Sequence, residues 1–140
     1  MKKKLGKTIK AENASWTFDN DVWKNFDDHI NNSIPLYLLC HKLGLEISDF
    51  FLEEKSKIVD LGCSTGTFIN KLNKRHNNKH LQIIGYDAVK KMTETAKKNN
   101  KNKKNIKFLN KDIVKNPLPD EIDFITSFFT LNFIKPAHRQ

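Results

Sequence analysis

The chain has 140 residues, 38% of them hydrophobic and 29% charged, and carries a formal net charge of +9. That suffices for one domain with its own core, and no apolar run approaches the length that crosses a membrane. Two cysteines, Cys40 and Cys63, without C-x-x-C spacing, exclude a disulfide framework and a zinc site.

The Lys-rich start leads into no apolar segment, so no secretory leader is expected and the expected compartment is the cytoplasm. The positive charge suits contact with RNA or another polyanion. It also suits plain composition, because the excess is nearly all Lys and travels with Asn. Only Arg75 and Arg139 of the 25 basic residues are Arg, the residue favoured for bidentate phosphate contacts.

Residues 1–15 are polar and read as a basic disordered tail. A helix is expected from Asp19 or Asn20, with Val22, Trp23, Phe26 and Ile30 on one face. Ser33-Ile34-Pro35 reads as the start of another helix, capped by Ser33 and carrying Tyr37, Leu38, Leu39 and Leu43. Gly44 suggests a break, and Ile47, Phe50, Phe51 and Leu52 a further short helix. From residue 57 the pattern changes to strands alternating with helices. Strands are expected over 58–61, 81–86, 106–109 and 122–129, with helices over 65–73 and 88–98. That alternation implies βαβ units and a parallel sheet.

The segment Asp60-Leu61-Gly62-Cys63-Ser64-Thr65-Gly66 lies between a strand and a helix. Glycine lets such a loop turn sharply and lets a ligand approach its backbone. The helix that follows points free N–H groups outward. Alone, an ordinary tight turn explains this as well. Asp87 ends the next strand, where a carboxylate can accept hydrogen bonds from two ribose hydroxyls, or cap the next helix. Asp112-Ile113 follows the third strand, where the acid can accept from an adenine amino group while Ile113 packs on the ring. All three follow successive strands, so they share the carboxyl edge where open α/β sheets bind ligands. G-x-G-x-x-G is absent, which disfavours a dinucleotide site. His76 and His80 stand four apart but lack a third ligand, so solvated surface is the expected reading and no metal is assigned. Cys63 has no His beside it in sequence and is not read as a nucleophile. Trp16 and Trp23 are expected to pack in the lid or core.

These motifs resemble those of class I S-adenosylmethionine-dependent methyltransferases. The chain is most similar to the carboxy-S-adenosyl-L-methionine synthase family, through Trp16-Thr17-Phe18-Asp19, Ser33-Ile34-Pro35-Leu36-Tyr37, Asp60-Leu61-Gly62-Cys63-Ser64 and Phe129-Thr130-Leu131-Asn132-Phe133. Ser64 stands where many methyltransferases have glycine and this family has serine. The resemblance implies a Rossmann-like α/β fold with a doubly wound parallel sheet, truncated after the fourth strand. It implies a helical lid over residues 16–56 and a partial cofactor-binding domain over 57–140. It implies S-adenosyl-L-methionine, or a carboxylated derivative, as the cofactor. Tyr37 would reach it from the lid. Asp60, Gly62, Cys63, Ser64 and Gly66 would form the loop around its methionine part, with Asp87 and Ala88 at the ribose and Asp112 and Ile113 at the adenine.

Two departures bear on the reaction. The synthase pattern has asparagine where this chain has Ala88 and, near the end of strand four, Phe128. Both favour a plain methyltransferase over a synthase acting in transfer-RNA wobble-uridine modification. A basic nucleic-acid-binding module is the alternative from another class. No catalytic residue is named and the acceptor is open. The fourth strand is expected at an exposed edge with Ile122, Phe124, Ile125 and Phe128 unprotected, which invites a homodimer, aggregation or marginal stability.

Overall fold

The computed structural model of the protein describes residues 9–12, 15–18 and 25–139. A short antiparallel hairpin comes first, β1 (Ile9–Glu12) against β2 (Ser15–Phe18), with Ile9 opposite Phe18. Residues 9–12 and Ser15, within the tail expected over residues 1–15, thus lie in paired strands.

Two helices follow, α1 (Phe26–Ser33) and α2 (Tyr37–Phe51). The helix start expected at residues 19–20, and Trp23, lie outside the described residues. Ser33 does not cap α2; it closes α1, where the Ile30 carbonyl receives the Ile34 N–H. Pro35 disfavours a helical conformation at the residue before it, and Ile34 is extended at φ −109°, ψ 113°. The chain re-enters helix through Leu36, held in the left-handed region at φ 62°. Gly44 does not break α2. A side chain there would place its Cβ 2.7 Å from the Phe128 ring, so the missing Cβ makes room for that ring.

The sheet has β3 (Lys57–Leu61), β4 (Gln82–Asp87), β5 (Ile106–Asn110) and β6 (Phe124–Thr126). All neighbours are parallel, in the order β5-β4-β3-β6. Helices α3 (Thr67–Arg75) and α4 (Lys90–Asn99) make the crossovers from β3 to β4 and from β4 to β5. Ile58, Val59 and Asp60 are buried in succession, the continuous pattern of a strand covered on both faces. The core joins Leu52, Ile58, Phe68, Ile69, Leu72, Leu81, Ile83, Ala96 and Phe108. At Gly85 an added Cβ would lie 2.8 Å from both Cys63 Sγ and Ile69 Cδ1, which explains a glycine inside β4.

The fourth parallel strand is an edge, as expected, but only three residues long. Of its apolar residues Ile125 is 49% exposed, whereas Phe124 stacks on Phe51 and Phe128 packs against Phe68. His76 is also not surface: it is buried and shares a hydrogen bond with Ser48 at 2.8 Å. His80 lies apart from it, against Glu54. Among the described residues no group of three His, Cys, Asp or Glu is placed to hold a metal, and no helix is long and apolar enough to cross a membrane.

Candidate functional site

The carboxyl ends of β3, β4 and β5 open into one cavity of about 550 Å³. The loop after β3 makes its floor. Gly62, Ser64 and Gly66 all take positive φ, at 74°, 48° and 76°. The Gly62 and Cys63 amides both donate to the Tyr86 carbonyl, at 2.8 and 2.9 Å, which anchors the loop on β4. A Cβ at Gly62 would fall 2.1 Å from Thr130 Oγ1, a hydroxyl that donates to the Leu61 carbonyl at 2.8 Å. Gly66 serves as the N-cap of α3. It is the one sequence-selected residue not at the cavity wall; Tyr37, Asp60, Gly62, Cys63, Ser64, Asp87, Ala88, Asp112 and Ile113 all line it.

Each acid has a distinct setting. Asp60 is buried and accepts from Thr126 Oγ1 at 2.7 Å. Burial pushes its pKa up to about 7, against the stabilising Thr126 bond. Asp87 accepts the Ser64 N–H on one oxygen at 2.9 Å and the Val89 N–H on the other at 2.8 Å. It therefore fixes the floor loop and the entry to α4 together. Burial raises its pKa, opposed by those two bonds. Each carboxylate oxygen keeps a further lone pair for a ligand. Asp112 accepts the Val114 N–H at 2.9 Å, and Lys115 lies 3.5 Å away. The Cys63 thiol is pushed far up by burial and then by Asp60 and Asp87, so it is no thiolate nucleophile.

The roof comes from the N-terminal helices. Phe26, Ile30 and Ile34 face the cavity along one stripe of α1. Asp27 ties α1 down by accepting from Thr65 Oγ1 and Thr67 Oγ1, both at 2.8 Å. Tyr37 opens α2, and burial followed by the nearby Asp27 and Asp60 charges keeps its phenol protonated. One turn later His41 is buried at the wall, its pKa lowered to about 4 chiefly by burial and then by Lys71. Phe128, Phe129, Thr130 and Phe133 close the side beyond β6, and Lys111 and Lys115 flank Asp112.

Sequence reasoning missed the Asp27 tether, His41 and the roles of Phe129 and Thr130. Asp27 carried no signal, since its partners are 38 and 40 residues away. His41 did carry one, a polar residue on the apolar run of α2.

A floor of glycines, acids after three successive strands and a helical roof define an α/β domain that holds a small ligand at its sheet edge. The Methyltransferase domain profile matches residues 58–140, and the chain belongs to that family. The carboxy-S-adenosyl-L-methionine synthase of Nautilia profundicola is 36% identical over 126 residues, covering 88% of this chain and 52% of the relative. That of Campylobacter hominis is 37% identical over 123 residues, covering 87% and 51%. The chain thus spans about half the length of the curated relatives it matches. Among solved structures, a SAM-dependent methyltransferase from Aquifex aeolicus superposes with TM-score 0.65 at 25% identity, over 87% of this chain and 63% of its own. A structure from Methanococcus maripaludis shares the fold, with TM-score 0.68 at 23% identity over 91% and 57%.

Proposed function

We propose that the cavity holds S-adenosyl-L-methionine, or a carboxylated derivative, and that the protein is the cofactor-binding part of a methyltransferase-type enzyme. The observation that carries this is the convergence of Asp60, Asp87 and Asp112 on one cavity floored by Gly62, Cys63 and Ser64. The donor and acceptor set fits the group. Asp87 has lone pairs left for two ribose hydroxyls, beside Ala88. Asp112 and Ile113 offer an acceptor and an apolar face for adenine. Tyr37 covers the reactive end from α2, while Gly62, Cys63 and Ser64 leave backbone exposed to the methionine part, and Gly66 sets up the helix behind it.

When bound, the cofactor supplies an electrophilic methyl carbon. The protein's part is orientation and exclusion of water. Asp60 ties β3 to β6 through Thr126, and the α1 stripe covers the cavity. Ala88 and Phe128 favour methyl transfer over carboxylation, since neither offers the polar contact that asparagine gives in the synthase pattern. Phe128 is moreover committed to Phe68 and His41, at ring separations of 4.6 and 4.7 Å. The relatives' identity over most of the chain supports the synthase as the second reading. The Lys surplus supports an RNA acceptor in the cytoplasm, and the free β6 edge supports a homodimer.

Titration calorimetry with S-adenosylmethionine and S-adenosylhomocysteine tests the site. Binding weakened about 10- to 100-fold by Asp112→Ala, and at least as much by Asp87→Ala, is expected. A folded wild type that binds neither ligand would overturn the assignment.

A further inference from the structure

The Leu61–Gly62 peptide makes the first turn of the floor loop, and it is gripped from both sides. Its N–H, on Gly62, donates to the Tyr86 carbonyl of β4 at 2.8 Å. In a trans peptide the carbonyl points the opposite way, so that of Leu61 is directed toward the β6 side. The β3–β6 ladder has already ended there, at Asp60 opposite Thr126. The Thr130 hydroxyl takes the place of the missing ladder donor, 2.8 Å from the Leu61 carbonyl. The Phe128 carbonyl, at 3.4 Å, is the poorer acceptor for the same proton. Thr130 also lies directly on the glycine: a Cβ at Gly62 would meet Thr130 Oγ1, Cγ2 and Cβ at 2.1, 2.7 and 2.9 Å.

The same bond bears on Phe129. A bulky side chain rarely occupies the left-handed region, yet Phe129 sits at φ 59°. Its two neighbours are anchored in different places. The Phe128 ring lies against Phe68 and His41, with centroids at 4.6 and 4.7 Å, and Thr130 is bound at Leu61. Phe129 spans the turn between these anchors, its ring at the cavity wall and 5.8 Å from that of Tyr37.

We propose that Thr130 is a positioning residue: its hydroxyl sets the Leu61–Gly62 peptide for the methionine part of the cofactor and holds Phe129 in its strained conformation beside Tyr37. The inference rests on the cofactor reading and deepens it, by naming the group that fixes floor and side wall together. Without the hydroxyl the peptide keeps its grip on β4 alone, and Phe129 is free to relax to negative φ, away from Tyr37.

Calorimetry with S-adenosylhomocysteine compares the wild type with Thr130→Val, which keeps the shape without the hydroxyl, and with Thr130→Ser, which keeps the hydroxyl. All three are read well below their denaturation midpoints. Thr130→Val should bind about three- to tenfold more weakly, and Thr130→Ser within about twofold of the wild type. Thr130→Val should also shift the Gly62 and Phe129 amide resonances in ¹⁵N spectra. A merely structural role would lower the midpoint of Thr130→Val and leave the affinity of the folded protein alone. That result, or a Thr130→Ser as weak as Thr130→Val, overturns the proposal. Should Thr130→Val not fold, the wild type decides. A Thr130 hydroxyl proton that exchanges slowly enough to show by NMR, with a cross-peak to the Gly62 Hα, supports the proposal, and its absence overturns it. A folded wild type that binds no S-adenosylhomocysteine sinks the cofactor reading and this role with it, whereas binding that Thr130→Val leaves untouched sinks the role alone.

Discussion

Helices α2 and α3 pack side by side near β3, yet they use apolar residues in opposite ways. The polar-looking α3 buries all three of its large apolar side chains, Phe68, Ile69 and Leu72, the last with no exposure at all. The far more apolar α2 buries His41 and Ser48, while Leu36, Leu38, Leu39, Leu43, Ile47, Phe50 and Phe51 face outward, Phe50 at 86% exposure. What decides burial is the neighbour rather than the residue: α3 is covered by the sheet and by α2, whereas α2 lies beside a sheet whose last strand is three residues long. Ile125 on β6 is also 49% exposed, so apolar side chains of both elements remain in contact with solvent. Apolar content therefore measures what a helix has available to bury, and the sheet beside it determines how much is buried.

The contrast can be broken most forcefully in the core. Leu72→Ala should cost about 2–5 kcal/mol, and Leu43→Ala on α2 less than about 1 kcal/mol. Chemical denaturation midpoints measure both, and equal losses would dissolve the contrast.

Next comes Asp60, whose carboxyl is pushed from 3.8 to about 7 by burial. An acid with a raised folded-state pKa favours the fold while protonated. Its contribution is complete below about pH 4 and is lost as the pH rises through 7. The raised Asp87 acts in the same direction. Asp60→Asn can still accept from Thr126, so it should flatten part of the fall between pH 4 and 7 and stabilise the protein at pH 8, by roughly 2–4 kcal/mol. Denaturation at pH 4.5 and 8 reads this, and an unchanged pH slope would contradict it.

A smaller effect is expected at Asp27→Ala. Losing the bonds from Thr65 and Thr67 should cost about 1–2 kcal/mol and raise amide exchange in α1 more than in α3. The smallest belongs to Phe50→Glu, which should leave monomer stability within about 0.5 kcal/mol. If the α2 face and β6 edge support a homodimer, sedimentation should show Phe50→Glu shifting it toward monomer.

The sequence was most informative where function and local geometry coincide. The strand-loop-helix at residues 57–75 was legible because Ile58, Val59 and the two glycines leave few other conformations. Asp87 and Asp112 were legible as cavity positions because one ends a short β-type run and the other follows one by two residues. The parallel sheet followed from the alternation of strands and helices. Three features resisted, for physical reasons. Gly44 looked like a breaker because its purpose, room for Phe128, lies 84 residues away in the chain. His76 looked solvated amid Lys and Asn, yet Ser48 from another helix supplies its buried partner. The fourth strand looked eight residues long from its apolar run, but Phe128 and Phe129 leave the ladder to wall the cavity, with Phe129 at φ 59°.

The corner at residues 34–36 joins two helices that are held in different ways. Helix α2 is locked in place by the Phe128 ring lodged at Gly44 and by Ser48 on His76. Helix α1 is held by the latch of Asp27 on two threonine hydroxyls, and its other end turns on Ile34 and left-handed Leu36. It is built like a door hung on that corner. Swinging it open would undo the Asp27 bonds to Thr65 and Thr67 and withdraw Phe26, Ile30 and Ile34 while Tyr37 and His41 stay where they are. A visiting molecule would then meet side chains already set in the frame, and ordering them would cost it little on arrival.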